Sequence, residues 1–270
     1  MNKVKIAFFD IDGTLLELGK TEITENTRKA LCLLKQNGIK ICIATGRPFA
    51  TIPVFSGIEF DAILAFNGSF CVADNQEVVK CPIPKEDVKM VIENAKRMSR
   101  PVSIATAKDI VANGSDKDLA DYFAIARHKL NVSEKFEEYV EKDVFQIMLG
   151  CDLEERKYIL GGTKNTKLAA WWDRAVDIIP KEGGKGTAIE QVLSHYKFSK
   201  EEAIAFGDGE NDIDMLQSVG KGIAMGNASE KVKAIATDIC KSVEDDGIYH
   251  YLKDQGIIKD RKSVGRERVF

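Results

Sequence analysis

The chain has 270 residues, of which 44% are apolar and 30% are charged, and its net charge is −3. This length allows one large α/β domain or two unequal domains, each able to bury a hydrophobic core. The small net charge disfavours nucleic acid and the bilayer surface as partners, and no apolar stretch is long enough to span a membrane. We therefore expect a soluble globular protein, and its net charge carries no information about a substrate.

The six cysteines indicate a reducing compartment. They are scattered, and they form neither a CxxC pair nor a cluster with histidine at the spacing of a zinc site. The amino terminus has a basic start, but its apolar segment is too short for a signal peptide and ends at two aspartates. We expect a cytoplasmic protein, and the sequence is compatible with a monomer or a homodimer.

The first 44 residues predict a strand, a helix and a second strand. Residues 4–9 (VKIAFF) form an apolar run that ends at Asp10, which is typical of a strand buried in a parallel sheet. A helix follows, with Thr24 at its start and Gly38 at its end. Residues 39–44 (IKICIA) predict the second buried strand. Such a βαβ unit has a right-handed crossover in nearly all proteins.

The last third of the chain repeats this alternation. The apolar spacing predicts a helix over 186–195 and a strand over 202–208 (EAIAFGD). The middle of the chain has a different order of elements, because a helix predicted over 85–98 alternates with strands over 144–150 and 175–180. The two ends therefore resemble halves of one sheet, and the middle resembles an insertion.

The predicted fold class is α/β with two domains. We expect a doubly wound, Rossmann-like core domain with a parallel sheet, formed by residues 1–81 and 183–270. An α+β cap domain, residues 82–182, is inserted between its halves. The junctions are short, since the sequence contains no long low-complexity linker.

Three of the predicted strands end in polar residues, namely DIDGT at 10–14, ATGR at 44–47 and GDGEND at 207–212. Ligands bind beyond the carboxyl ends of the strands in an open parallel sheet. If neighbouring strands bring these ends together, four carboxylates meet in one cleft, where two charges about 4 Å apart repel by roughly 4 kcal/mol. A hard divalent cation removes this repulsion, and a set of oxygen ligands with room for phosphate favours Mg²⁺.

Asp10 is the candidate nucleophile of this cleft. A carboxylate with a pKa near ~3.9 is ionised at neutral pH. It can attack phosphorus when a metal ion screens the repulsion between the two anions. Asp12 follows two residues later and is suited to protonate the leaving oxygen and then to deprotonate a water molecule. Gly13 permits the tight turn.

The four motifs DIDGT, ATGR, GGKGT and GDGEND, in this order, resemble those of the haloacid dehalogenase superfamily. The large insertion between the second and third motifs is similar to the type IIB cap of its Cof-type subgroup. The phrases AFNGS and GIAMGNA are similar to that subgroup as well. The resemblance extends over the chain to about residue 258 and implies a catalytic core with a specificity-determining cap.

The resemblance implies a role for each matching residue. Asp10 would be the nucleophile and a Mg²⁺ ligand, and Asp12 would be the acid/base and would bind Mg²⁺ through its backbone carbonyl. Asp208 would ligate Mg²⁺ directly, and Asp212 would support the metal through water. Lys185 would balance the charge of Asp10 and the phosphate.

The resemblance also implies a set of phosphate- or substrate-binding residues. These are Thr45, Gly46, Arg47, Asn67, Gly68 and Asn211. Specificity would come from the cap, for which Glu182 and Trp172 are candidate contacts.

The function implied by the resemblance is that of a Mg²⁺-dependent phosphatase acting through an aspartyl-phosphate. Its substrate would be a small phosphorylated metabolite, such as a sugar phosphate, a polyol phosphate or a cofactor phosphate. A phosphosugar phosphotransferase or mutase is an alternative, because the same acid/base serves both reactions. A non-enzymatic sensor of phosphorylated metabolites is less favoured, since every residue of the catalytic set is present. A cap over the cleft disfavours protein substrates.

Overall fold

A computed structural model of the chain describes residues 3–125, 128–169 and 173–259. The candidate specificity residue Trp172 and the end of the predicted core domain, residues 260–270, lie outside the described residues. Within the described ranges, no helix combines the length and the apolar character that crossing a bilayer requires.

The described residues form short strands and helices that alternate along the chain. The strands are β1 (Ile6–Phe9), β2 (Lys40–Ala44), β3 (Ala62–Ala65), β4 (Phe70–Ala73), β5 (Gln76–Lys80), β6 (Val102–Ala105), β7 (Ile110–Ala112), β8 (Gln146–Gly150), β9 (Thr166–Ala169), β10 (Ala175–Pro180), β11 (Ala203–Gly207), β12 (Lys221–Ala224) and β13 (Asp238–Ile239). The helices are α1 (Glu25–Gln36), α2 (Lys85–Arg97), α3 (Lys117–Ile125), α4 (Phe136–Val140), α5 (Arg156–Ile159), α6 (Lys185–Tyr196), α7 (Ile213–Gln217), α8 (Glu230–Ile235) and α9 (Gly247–Asp254).

The chain divides into two compact units. The first unit comprises the described residues of Met1–Ile43, Phe55–Asp61 and Tyr196–Phe270. The second unit comprises those of Ala44–Val54 and Ala62–His195. The predicted bounds of the core and cap domains remain a prediction.

The first unit is built on parallel strands in the order β13-β12-β11-β1-β2. All four residues of β1 are buried, as expected for a strand with a neighbour on each side. Phe9 of β1 lies opposite Phe206 of β11, and their rings stack with centroids 5.4 Å apart. The ends of β1 and β11 therefore lie side by side, and an aspartate follows both strands closely.

Helix α1 shows how local sequence determines its bounds. The hydroxyl of Thr24 accepts a hydrogen bond from the backbone amide of Thr27 at 3.1 Å, which caps the first turn. Gly38 has a φ of +74°, a conformation that favours glycine and ends the helix. The predicted helix from Thr24 to Gly38 is confirmed.

The strand pairs described within the second unit are antiparallel. Strands β3, β4 and β5 pair in that order. A separate sheet has the order β7-β6-β8-β10-β9. The helix predicted over 85–98 is α2, and the strands predicted over 144–150 and 175–180 are β8 and β10. The predicted α/β class, with a parallel core sheet and an additional α+β region, is confirmed.

The separate sheet of the second unit is covered on both faces. One face packs against α2, α4 and α5 through a large apolar cluster that includes Ile147 and Leu149. The other face, which we name the α3 face, carries Ala105, Met148 and Ala175 and packs against α3. The strands β6, β8 and β10 are therefore buried on both sides, which explains their largely apolar sequences.

Asp177 is a buried carboxylate on the α3 face. It lies opposite Met148 in the pairing of β10 with β8. Its Oδ1 accepts a hydrogen bond of 2.7 Å from the hydroxyl of Tyr122 on α3. Burial raises the pKa of Asp177 to about 6, although the nearby Tyr122 hydroxyl and Gln146 amide act in the opposite direction.

We expect Asp177 to make stability depend on pH. Its folded pKa is higher than its unfolded pKa, so the folded state is favoured by protonation, and that contribution is lost as pH rises from about 4 to about 6. The free energy of unfolding decreases by an amount on the order of 3 kcal/mol over this range. When it is measured by urea unfolding at both ends of the range, the free energy of unfolding of Asp177→Asn should decrease less than that of the wild type. An Asp173→Asn control, at an exposed carboxylate, should behave as wild type; an unchanged pH dependence in Asp177→Asn would contradict the assignment.

Candidate active site

The loop after β1 is held in register with β11. The backbone amide of Asp10 donates a hydrogen bond of 3.0 Å to the carbonyl of Phe206. Gly13 has a φ of +83°, and a Cβ at this position would overlap the carboxylate of Asp208. Glycine is therefore required here both for the turn and for the close approach of the two loops.

The loop after β11 carries Asp208 and Asp212. Asp212 is fully buried, and its Oδ2 accepts hydrogen bonds from the backbone amides of Asp208 at 3.0 Å and Gly209 at 2.9 Å. A Cβ on Gly207 would lie 2.6 Å from the Cβ of Asp212. These contacts hold the Asp212 carboxylate beneath the loop.

Three carboxylates meet where β1 and β11 end. Asp10, Asp208 and Asp212 each offer an oxygen atom, and these atoms lie within 4.8 Å of one another. The repulsion at such distances, roughly 4 kcal/mol per pair near a protein surface, favours a bound cation. A hard divalent ion fits this set of oxygen donors. The carboxylate of Asp12, which lies half-buried in the same loop, does not belong to this group of three.

Two residues that the sequence analysis did not single out orient Asp208. Its Oδ1 accepts a hydrogen bond of 3.0 Å from the hydroxyl of Thr14, and its Oδ2 accepts one of 3.3 Å from the amide of Asn227. Asn227 also donates to the carbonyl of Gly13 at 2.8 Å and accepts from the amide of Val243 at 3.0 Å. Thr14 belongs to the motif DIDGT and Asn227 to GIAMGNA, so both residues lie in motifs that the sequence analysis identified.

The second unit brings together a different group of predicted site residues. Thr45 is buried, and its hydroxyl accepts a hydrogen bond of 3.2 Å from the amide of Arg47. Its carbonyl accepts one of 3.0 Å from the amide of Asn67. Gly46 faces the side chain of Asn67, since a Cβ there would lie 3.2 Å from it. Burial and the charge of Arg47 together lower the pKa of His128.

The loop at Asn67 also contacts the start of α6. Asn67 and Gly68 have φ values of +53° and +86°. A Cβ on Gly68 would overlap the carbonyl of Gly184, so only glycine allows this contact. Lys185, the first residue of α6, is 1% exposed. A buried ammonium group is stable only beside negative charge, so Lys185 is suited to an anionic ligand or partner.

Two further predicted residues are exposed. Asn211 lies in the loop between Asp208 and Asp212, and its side chain reaches solvent. Glu182, a candidate for specificity, is also exposed; burial raises the pKa of Cys81, and the charge of Glu182 adds to this effect.

A sequence model of the family described as haloacid dehalogenase-like hydrolase matches residues 7–252. The chain belongs to this family. The protein YkrA of Bacillus subtilis (strain 168) is 33% identical over 257 residues, which cover 94% of this chain and 99% of that protein. The likeness therefore extends over nearly the full length of both chains.

Two other relatives of this hydrolase are named for their activities. The 5-amino-6-(5-phospho-D-ribitylamino)uracil phosphatase YitU of Bacillus subtilis (strain 168) is 29% identical, with 91% of this chain and 95% of that protein covered. The structure of BT4131, a sugar phosphatase of subclass IIB, has a TM-score of 0.84, 31% identity and coverage of 94% and 100%. The predicted subgroup and enzyme class, a Cof-type phosphatase, are confirmed.

We expect a divalent cation to stabilise the folded hydrolase. A divalent cation bound at the three carboxylates would remove their repulsion, and a concentration of about 100 times Kd would add about 2.7 kcal/mol to the free energy of unfolding. Thermal unfolding during a Mg²⁺ titration should show a rising Tm for the wild type. Asp208→Asn should raise the Tm without metal and lose most of the response, and the exposed control Asp254→Asn should keep it. An equal Mg²⁺ response in Asp208→Asn would contradict this site.

Proposed function

We propose that this protein is a Mg²⁺-dependent phosphatase of the cytoplasm that hydrolyses small phosphorylated metabolites through an aspartyl-phosphate on Asp10. The observation that carries this proposal is the group of Asp10, Asp208 and Asp212 at the ends of β1 and β11, with oxygen atoms within 4.8 Å of one another. No disulfide joins the six cysteines, all of which lie among the described residues, and this supports a reducing compartment.

Asp10 is the proposed nucleophile. Its carboxylate oxygen forms a bond to phosphorus while the bond from phosphorus to the ester oxygen breaks. The proton of Asp12 passes to that leaving oxygen, and the alcohol departs. Asp12 then accepts a proton from water, which attacks phosphorus and breaks the bond to Asp10, and inorganic phosphate leaves.

Asp10, Asp208 and Asp212, together with the backbone carbonyl of Asp12, would hold the metal. Bound there, Mg²⁺ would screen the charge between the attacking carboxylate and the phosphate. Asp208 is kept in a fixed orientation by Thr14 and Asn227, and Asp212 by two backbone amides.

The proposed phosphate ligands are those of the second unit together with Asn211. The hydroxyl of Thr45 and the backbone amide of Gly46 would donate to phosphate oxygens, and Asn67 and Gly68 would do the same from the neighbouring loop. Lys185 would balance the charge of the phosphate and of Asp10. The burial of its side chain at the start of α6 supports this role, because a buried ammonium group needs negative charge beside it. Arg47 and Asn211 would complete the set of donors.

The proposed substrates are sugar, polyol or cofactor phosphates. The name of YitU specifies a phosphorylated ribityl chain, and BT4131 is a sugar phosphatase. Both names support a small, hydroxylated phosphate ester.

The main test is phosphate release by wild type and Asp10→Asn. We expect Asp10→Asn to abolish release, because the amide cannot serve as the nucleophile. Release is measured with Mg²⁺ on a panel of sugar, polyol, nucleotide and vitamin phosphates, and EDTA should silence the wild type. Substantial activity in purified Asp10→Asn would reject the covalent mechanism. Transfer of phosphate to a sugar acceptor, without release, would identify a phosphotransferase instead.

Asp12→Ala tests the acid/base. With p-nitrophenyl phosphate, whose leaving group needs no proton, we expect the first step to persist and the second to slow by about 10²–10⁴-fold. Phosphorylated protein should then accumulate and be visible by intact-mass spectrometry. Double replacement of Asp10 and Asp12 is the control, and it should remain unmodified. A variant that turns over at the wild-type rate would exclude this role for Asp12.

A further inference from the structure

Two glycines, Gly183 and Gly184, lead into α6 and determine where Lys185 lies. The carbonyl of Gly184 accepts a hydrogen bond of 3.1 Å from the backbone amide of Ala188, which forms the first turn of the helix. Lys185 is the first residue of that turn and is buried. Glycine has more backbone freedom than any other residue, so contacts from elsewhere in the fold must fix this segment.

The loop after β3 packs against both glycines. A Cβ on Gly68 would overlap the carbonyl of Gly184, and a Cβ on Gly183 would overlap the hydroxyl of Ser69. Ser69 is fully buried, and its hydroxyl has no hydrogen-bond partner among the described residues. Ser69 therefore contributes close packing to this contact but no hydrogen bond from its side chain.

Strand β9 makes a second contact with the same segment, through Lys167. The ammonium group of Lys167 donates a hydrogen bond of 2.8 Å to the carbonyl of Gly183. The backbone attachment of the chain to β9 extends as far as Lys181, whose amide donates a hydrogen bond of 2.8 Å to the carbonyl of Asn165. The bond from Lys167 continues this attachment beyond the end of β10, to a residue that lies two positions before Lys185.

The ammonium group of Lys167 is suited to restrain the glycine segment. Lys167 is half-buried, and among the described residues it forms no ion pair with a carboxylate. Its partner is the carbonyl of Gly183. A hydrogen bond from an ammonium group is charge-assisted and is stronger than one between neutral groups. The contact therefore restrains Gly183 more firmly than a neutral donor would.

We propose that Lys167 is a positioning residue for Lys185, because its ammonium group fixes Gly183 and thereby the first turn of α6. This inference rests on the proposed phosphatase function, in which Lys185 balances the charge of the phosphate. Lys167 acts through the backbone and does not need to touch the substrate. A displacement of about 1 Å can reduce a reaction rate by about 100-fold, so a restraint on this backbone has a measurable effect on turnover.

The experiment compares Lys167→Met, which removes the ammonium group, with Lys167→Arg, which keeps a cationic donor. We measure kcat for p-nitrophenyl phosphate and, by calorimetry with Mg²⁺ present, the affinity for inorganic phosphate. We expect Lys167→Met to lower both by about tenfold. Lys167→Arg should restore both to within about threefold of the wild type. The matched control is Lys164→Met, at an exposed lysine of the same segment, which should behave as the wild type.

A double-mutant cycle tests whether Lys167 acts through Lys185. When Lys185 is already methionine, we expect Lys167→Met to weaken phosphate binding by less than about twofold, since residues that act together have non-additive effects. An equal loss of phosphate affinity in both backgrounds would overturn the inference, because Lys167 would then act independently of Lys185. Unchanged kcat and phosphate affinity in Lys167→Met would also overturn it.

Thermal unfolding separates positioning from a general structural role. We expect the Tm of Lys167→Met to stay within roughly 2 °C of the wild type, since one half-buried hydrogen bond is lost. A larger decrease in Tm, together with a loss of kcat that Lys167→Arg does not restore, would overturn the inference and assign Lys167 to the fold.

The wild-type results distinguish this inference from the proposed function. A wild type that binds phosphate but hydrolyses no ester rejects the phosphatase function, and the phosphate affinities of the variants still decide the role of Lys167. A wild type that hydrolyses esters as fast as Lys167→Met does rejects the positioning role alone. A wild type that neither binds phosphate nor hydrolyses esters rejects both.

Discussion

The mutual repulsion of three carboxylates is the constraint on which the site depends. Asp10, Asp208 and Asp212 lie close together because β1 and β11 are neighbours in a parallel sheet, so the carboxyl ends of the two strands lie side by side. Such a group is unfavourable without a cation, and two residues hold Asp208 in place despite that cost, namely Thr14 and Asn227. The sheet therefore supplies the rigidity, and the loops supply the charge.

The second unit shows the same principle with opposite charge. Lys185 is kept buried at the start of α6, beside a loop in which Gly68 can approach Gly184 only because it lacks a side chain. An ammonium group held in this way is not hydrated by bulk water, so it favours binding of an anion. The α3 face adds a further buried polar group, the carboxylate of Asp177, in an otherwise apolar region. Residues that are unfavourable for folding are expected where binding selects them.

Local patterns explain how much of the fold the sequence could predict. Apolar runs such as residues 4–9 and 202–208 predicted β1 and β11, and the cap at Thr24 predicted the start of α1. The strand predicted over 144–150 begins later, at Gln146. Pairing partners decide where a strand begins, and such partners are distant in sequence.

The sequence by itself determined the types of element, their order and the loops that carry Asp10, Asp208 and Asp212, because capping, turn residues and apolar spacing act over a few residues. Only the tertiary structure decided that the carboxylate of Asp12 stays outside the group of three, and that Thr14 and Asn227 orient Asp208 from 194 and 19 residues away along the chain. The physical reason is that a side chain's partners come from strand register and long-range packing, which no short stretch of sequence encodes.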